Sequence, residues 1–254
     1  MQGYVYDAKR RLAEIARHAW ADEPLATRLE AEADELAGRF DAAFWVPDRG
    51  GYYALALDRD KQRVDALCSN VGHLLWSGIV PEERVEAIVA ALTHDDLWSG
   101  WGVRTMSKSD AAYSPLSYHN GTVWPHDTAL AAWGLARYGR WADVRRITLA
   151  LLEAARHFDW SLPEVFAGFD RSETPFPIAY PTAARPQAWA AGTPILLLRL
   201  LLGLEPDIAR RQLGMLAGAE PAPGIGIILE GVQALGQSWD VFCGAGESRI
   251  ELVT

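Results

Sequence analysis

The run Thr128-Ala129-Leu130-Ala131-Ala132-Trp133-Gly134-Leu135-Ala136-Arg137-Tyr138 reads as a helix that is apolar or small on nearly every face. A helix without a polar side is buried all round. Two other helical segments share this character, with cores at Val71 to Trp76 and Ala188 to Leu198. The segments between them are amphipathic. In 25–43, Leu25, Leu29, Ala33, Leu36 and Phe40 form one stripe, and Arg28, Glu30, Glu32, Asp34 and Glu35 fill the other faces. In 141–157, Trp141, Val144, Thr148, Leu151 and Ala155 do the same against Asp143, Arg145, Arg146, Glu153 and Arg156.

Apolar periodicity predicts seven helices, at 3–19, 25–43, 70–78, 81–92, 126–139, 141–157 and 185–204. Buried and half-wet helices alternate, and so do the connections. Those near Ala21–Pro24, Ile79–Pro81 and Gly139–Arg140 are short, as antiparallel neighbours require, whereas 44–69, 93–125 and 158–184 are long. An inner ring of buried helices, an outer ring of amphipathic ones and long loops gathered at one end describe an all-α toroid. The first helix fits least well, because Lys9, Arg10, Arg11, Glu14 and Arg17 are charged; its first turns would carry the buried surface. After Pro206, the stretches Ile225–Leu229, Trp239–Phe242 and Arg249–Val253 read as short strands, so a β-rich segment at 207–254 is expected to follow a helical domain at 1–206.

Leading into the Thr128 helix is Tyr113-Ser114-Pro115-Leu116-Ser117-Tyr118-His119-Asn120-Gly121-Thr122-Val123-Trp124-Pro125-His126-Asp127. It is too broken by proline and glycine for a strand, and too rich in Tyr, His, Asn and Trp for a neutral connector. Hydrogen-bonding side chains between stiff aromatic faces suit a small polar molecule. A sugar fits, with hydroxyls at its edge and C–H groups on its faces. Five of the eleven tryptophans (Trp45, Trp98, Trp101, Trp124 and Trp160) lie in the long connections, which marks that end of the helix stack as the active face.

Composition excludes other classes. Half of the 254 residues are hydrophobic and 22% are charged, as in a soluble globular protein. The net charge of -9 argues against nucleic acid, since no basic patch would neutralise phosphates. Cys68 and Cys243 stand in unrelated contexts and read as buried thiols in a reducing compartment. Met1–Asp7 lacks a basic flank and an apolar core, so no signal peptide is expected. Ala188–Leu204 is interrupted by Pro194 and Arg199 and is short for a bilayer, so it reads as a buried helix. The expectation is a cytoplasmic protein with no membrane partner.

Glu164, after a proline and among apolar residues, is either a strut paired with Arg185 or a base for water. His119 and His126 lack a third metal ligand at a recognisable spacing, so neither a metal nor any other cofactor is implied. Ser114 and Ser117 lack a nucleophile elbow. Asp127 belongs in the first turn of its helix, where the dipole favours a carboxylate. Asp95, Asp96 and Asp110 are explained as well by capping or solvation as by chemistry.

Four motifs in order carry a family resemblance. Gln2-Gly3-Tyr4-Val5-Tyr6-Asp7-Ala8, Ser99-Gly100-Trp101-Gly102-Val103-Arg104-Thr105, Tyr118-His119-Asn120-Gly121-Thr122-Val123-Trp124-Pro125, and Leu162-Pro163-Glu164 with Arg185-Pro186-Gln187-Ala188-Trp189 resemble the C-terminal half of bacterial amylo-α-1,6-glucosidase (glycogen-debranching-type) proteins, which are six-hairpin glycosidases. The resemblance implies an (α/α)6 barrel of twelve helices, here only its C-terminal part. It also implies inverting hydrolysis of an α-glucosidic bond, in which a protonated carboxyl serves the leaving oxygen and a second carboxylate activates water. By this resemblance Glu164 is the base, and Trp101, Arg104, Tyr118, His119, Asn120, Trp124, Arg185, Gln187 and Trp189 line a pocket for an oligosaccharide or α-glucan. The family's general acid lies in an N-terminal Gly-Arg-Asp-type segment that these residues do not contain. A partial toroid would expose inner-helix flanks for a second copy or the missing half to cover. Two other functions compete: a non-catalytic carbohydrate-binding or assembly fragment, and a sugar isomerase or epimerase using His119 or His126 for proton transfer.

Overall fold

The computed structural model describes residues 1–216, 219, 226–244 and 247–253. Among them are seven helices: α1 (Gln2–His18), α2 (Glu23–Phe44), α3 (Asn70–Ser77), α4 (Glu82–Thr93), α5 (Pro125–Arg137), α6 (Trp141–Arg156) and α7 (Ala188–Leu201). Each falls on a segment predicted from periodicity. Helix α7 starts three residues later than expected, because Gln187 is its extended N-cap and turns its side-chain oxygen to the Ala188 N–H. Asp22 caps α2 in the ordinary way, accepting from the Leu25 N–H at 3.0 Å. No helix among the described residues is long and apolar enough to cross a membrane.

The helices form hairpins. Odd-numbered helices pack side by side in the order α1, α3, α5, α7, while α2 lies on α1, α4 on α3, and α6 on α5 and α7. Small residues set the closest of these contacts. A Cβ on Gly72 of α3 would stand 2.6 Å from the Ala131 Cβ of α5, and one on Gly134 would stand 2.6 Å from the Trp76 backbone nitrogen. Around this seam the main core gathers Val71, Leu75, Ile88, Leu92, Ala132, Leu135, Val144, Leu151 and Leu197. Burial on α1 is not confined to its first turns: Gly3, Tyr6 and Asp7 are joined by Ala13 and Ala16, which meet Ala26 and Leu29 of α2. The charges on α1 find partners on α2 instead of solvent alone, as Arg17 does with Glu30 at 2.8 Å.

The fold is not strictly all-α. The connection 45–69 contains two small antiparallel pairs, β1 (Trp45–Val46) with β2 (Tyr52–Tyr53) and β3 (Ala56–Leu57) with β4 (Arg63–Val64). These strands are too short for a period-2 pattern to declare itself. Beyond α7, β5 (Leu204–Asp207) pairs with β6 (Gln212–Met215). A three-stranded meander of β7 (Ile227–Ala234), β8 (Gln237–Gly244) and β9 (Glu247–Leu252) follows. The three strands expected from sequence lie on this meander, with Ile225 outside the described residues. Leu198 and Leu202, at the end of α7, pack with Leu204, Leu213, Trp239 and Val241 of these sheets. Cys68 and Cys243 are both buried free thiols, and burial pushes Cys68 up to about 12.

Apolar surface remains on the two outermost odd-numbered helices. Ile195 of α7 is 72% exposed, and Tyr4, Val5, Leu12 and Ile15 of α1 are also exposed.

Candidate active site

The long connections meet at the N-terminal ends of the odd-numbered helices, stitched by backbone pairing. Isolated antiparallel bridges join Arg104 to Val123, Val123 to Phe166 and Phe166 to Ala179. The loops touch so closely that a Cβ on Gly168 would meet the Gly121 carbonyl oxygen at 1.7 Å. Only glycine fits at such a crossing. Two residues before Phe166 stands Glu164; five before Val123 stands Tyr118. The crossing therefore sets these two side chains against each other.

Glu164 is half-buried and accepts from the Tyr118 hydroxyl at 2.8 Å through Oε1 and from the Ala184 N–H at 3.1 Å through Oε2. Its own N–H donates to the Ala184 carbonyl at 3.0 Å. The Ala184 N–H, assisted by Tyr118 and Gln187, holds the carboxyl below its ordinary value against the opposing pull of burial. Glu164 is thus an ionised acceptor, oriented by neutral donors.

Aromatic rings surround it. Tyr118 meets Trp124 edge-on at 4.8 Å and Tyr180 at 5.6 Å, and His119 lies parallel to Trp124 at 6.2 Å. Trp189, in the first turn of α7, approaches Trp124 at 6.0 Å and stacks on His126 at 5.2 Å. Burial, and then His73 nearby, lowers the His126 pKa, which favours a neutral ring at pH 7. Trp189 is 44% exposed, so part of its face is open to a ligand. Tyr118, His119, Trp124, Gln187 and Trp189 thus gather around Glu164. Tyr180 joins them, a residue the sequence reading passed over because it lies in a loop without pattern.

Other expected pocket residues lie elsewhere. Trp101 is 1% exposed and packs with Val123, Ala154, Phe158 and Phe166. Arg104 is fully buried: its Nε donates to the Gly168 carbonyl at 2.6 Å, its Nη1 to the Asp95 carbonyl at 2.9 Å, and its Nη2 pairs with Asp170 at 2.8 Å. Both hold the loops together from beneath. Asn120 closes a turn, its carbonyl accepting from Ser114 and its N–H donating to Ser117. The strut expected between Glu164 and Arg185 is absent. Arg185 turns to the Phe158 carbonyl and to Asp159 at 3.2 Å. Asp110 is structural, pairing with Arg49 at 3.1 Å and accepting from the Leu67 N–H. Among the described residues no group of three His, Cys, Asp or Glu side chains is placed to hold a metal ion.

Asp127 has a larger role than helix-dipole placement. Its Oδ1 lies 2.5 Å from His73 Nε2 of α3, and His73 Nδ1 lies 2.6 Å from the Tyr4 hydroxyl of α1. One chain of hydrogen bonds therefore links three neighbouring helices at the loop end. Sequence alone gave no sign of it, since the three residues lie far apart in the chain.

The fold recurs in solved structures. A protein titled sialidase superimposes with a TM-score of 0.78 at 16% identity, over 99% of this chain and 24% of its own. Neutral trehalase from Saccharomyces cerevisiae gives 0.57 at 17%, over 83% and 38%. The GH63 mannosylglycerate hydrolase from Thermus thermophilus, solved with glucose, gives 0.58 at 16%, over 78% and 43%. The chain thus spans about a quarter to less than half of the length of these proteins, and what it shares with them is their fold. No curated protein matches this chain. The model of the mannosylglycerate hydrolase MGH1-like glycoside hydrolase domain matches residues 1–169, which includes the Tyr118 loop and Glu164. Because that model matches well over half of the 254 residues, the chain belongs to the MGH1-like glycoside hydrolase domain family.

Proposed function

We propose that this chain supplies the water-activating side of an inverting glycoside hydrolase, with Glu164 as general base. The observation that carries this reading is the state of Glu164: an ionised carboxylate without an ion-pair partner among the described residues, held by Tyr118 and the Ala184 N–H beside exposed aromatic faces. A base of this kind removes a proton from water on the face of the sugar opposite the leaving group, while a protonated carboxyl serves the leaving oxygen. That acid is assigned to a segment outside these 254 residues, as the family resemblance of the four sequence motifs suggests. The exposed flanks of α1 and α7 are where the rest of an (α/α)6 toroid, or a second copy, would pack.

Tyr118, His119, Asn120, Trp124, Gln187 and Trp189 are proposed to contact the sugar, with Trp101, Arg104 and Arg185 supporting the loops that carry them. The substrate is proposed to be an α-glucosidic oligosaccharide or glucan of the α-1,6 debranching type, hydrolysed in the cytoplasm. The family's name and the structural neighbours add mannosylglycerate and trehalose as competitors. Incubation with α-1,6-branched maltooligosaccharides, trehalose and mannosylglycerate, with chromatography of the released sugar, tests the assignment. Release from the branched substrate alone is expected. Release only from one of the others replaces the substrate, and Glu164→Gln protein that retains full turnover removes Glu164 as the base.

A second reading has a specific observation behind it. Because the chain spans less than half of its structural neighbours, it could bind carbohydrate without hydrolysing it. Maltooligosaccharide binding without turnover by the wild-type chain would select that reading.

A further inference from the structure

Among the described residues the meander β7–β8–β9 ends on β9, with no strand beyond it. The ladder with β8 shows which backbone groups of β9 are spare. The Val253 N–H donates to the Ser238 carbonyl at 2.9 Å, and pairing runs unbroken from Gly244 with Glu247 to Trp239 with Leu252. In an antiparallel ladder, bonded and non-bonded pairs alternate. Arg249 and Glu251 therefore also bond to β8, and the peptide groups of Ser248, Ile250 and Leu252 point outward. Ser248, Arg249, Glu251, Leu252 and Val253 are all exposed. A row of outward peptide groups is a template for another strand, and such edges are commonly blunted by a bulge, a proline or lysines. The opposite edge has its bulge: β7 shifts register between Leu229 and Val232, where Gly231 takes a φ of 69°. The edge of β9 carries none of these. Its charges are of both signs and sit two residues apart, so they share one face.

We propose that β9 pairs antiparallel with β9 of a second copy of this chain, about a two-fold axis at Ile250. The strand itself selects that register. Outward groups must meet outward groups, so Ser248, Ile250 and Leu252 have to face one another across the join. Slipping by two residues one way sets Arg249 against the partner's Arg249, and the other way sets Glu251 against the partner's Glu251. With Ile250 opposite the partner's Ile250, Arg249 meets the partner's Glu251 on both sides of the axis. These are non-bonded pairs, where side chains come closest and opposite charges attract. Arg249 and Glu251 already pair along the strand at 3.1 Å, so the join closes a square of four charges alternating in sign. On the other face Ile250 packs with Trp239 and Val241. The two apolar clusters become continuous across the axis, and Leu252, 45% exposed, gains the partner's Ser248 as its neighbour. A patch that complements itself in this way is what a two-fold dimer requires. The surface is separate from the flanks of α1 and α7 and does not depend on the glycosidase reading.

Sedimentation velocity over a rising concentration series, with circular dichroism as the folding control, tests the pairing. The wild-type chain is expected to dimerise reversibly. Glu251→Arg and Arg249→Glu each turn two attractive cross-strand pairs into repulsive ones, and each is expected to weaken the dimer about 10- to 100-fold. Mixed in equal amounts, the two variants are expected to associate with each other, because each supplies the charge that the other lacks. Ser248→Pro removes one outward N–H at an exposed position and leaves the ladder to β8 intact, so it is expected to weaken the dimer in a folded chain. A wild-type chain that stays monomeric throughout the series overturns the proposal. So does a dimer that all three variants leave unchanged, which places the contact elsewhere, as on the flanks of α1 and α7. Charge variants that are monomeric alone and remain so when mixed overturn the register.

Discussion

The Tyr118 hydroxyl donates to Glu164 Oε1 at 2.8 Å, and with this bond the second long loop of the chain is tied to the third. Among the described residues no cation takes part. The carboxylate is held by a phenol and a peptide N–H, which leaves its negative charge available for water.

Replacing Glu164 by Gln keeps the shape and removes the basicity. Turnover of whichever glycoside proves to be the substrate is expected to fall about 10²- to 10⁴-fold, the usual contribution of general acid–base catalysis. KM should change little. Steady-state kinetics, with circular dichroism as the folding control, checks this.

Tyr118→Phe tests the acid limb of the pH profile. The Glu164 pKa is lowered foremost by the Ala184 N–H and further by Tyr118. A base is active when ionised, so activity is full above this lowered pKa and lost as pH falls through it. Removing the phenol raises the pKa toward its ordinary value, and kcat/KM is expected to decline at a higher pH than in the wild type. An acid limb that stays in place, or moves to lower pH, contradicts the assignment of Glu164 as base.

Arg104 is predicted to matter for stability. It is fully buried and paired with Asp170 at 2.8 Å, so Arg104→Leu leaves two carbonyls without a donor and Asp170 with Lys108 alone. A loss of about 2–3 kcal/mol is expected in urea unfolding, from the buried carbonyls left unsatisfied. Arg171→Ala breaks a largely exposed pair with Glu153 and should cost no more than about 1 kcal/mol.

Glycines in helices should separate by surroundings. Gly38 in α2 has nothing within 4 Å of the place an alanine methyl would take, so Gly38→Ala is expected to stabilise by about 0.5–1 kcal/mol. Gly134→Ala would press on the Trp76 backbone and is expected to destabilise by about 1–2 kcal/mol, overpacking outweighing helix propensity. Thermal unfolding of the two variants gives the comparison.

The helices were legible because burial imprints a period on sequence. Ala129 to Ala136 had no polar face, and α5 proved to be enclosed by α3, α6 and α7. The two-residue strands of 45–64 leave no such imprint. In the site, Glu164 and its aromatic company stood out by residue type. Composition could not separate Trp124, at the surface of the cluster, from Trp101, buried beneath it. That difference comes from the loop crossing at Gly121 and Gly168, a contact between residues far apart in the chain. The Tyr4–His73–Asp127 link was hidden for the same reason, since each member alone has an ordinary explanation.

The glycine seam between α3 and α5 also works as a gauge. His73 is next to Gly72, and Asp127 lies seven residues, about 10 Å of helix, from Gly134. The spacing of the two backbones therefore decides whether imidazole and carboxylate can reach each other. A methyl group added at either glycine would be felt at Asp127 without touching it. Residues that own no side chain thus set the tolerance of the Tyr4–His73–Asp127 link, and substitutions there would loosen the join of three helices as well as the seam itself.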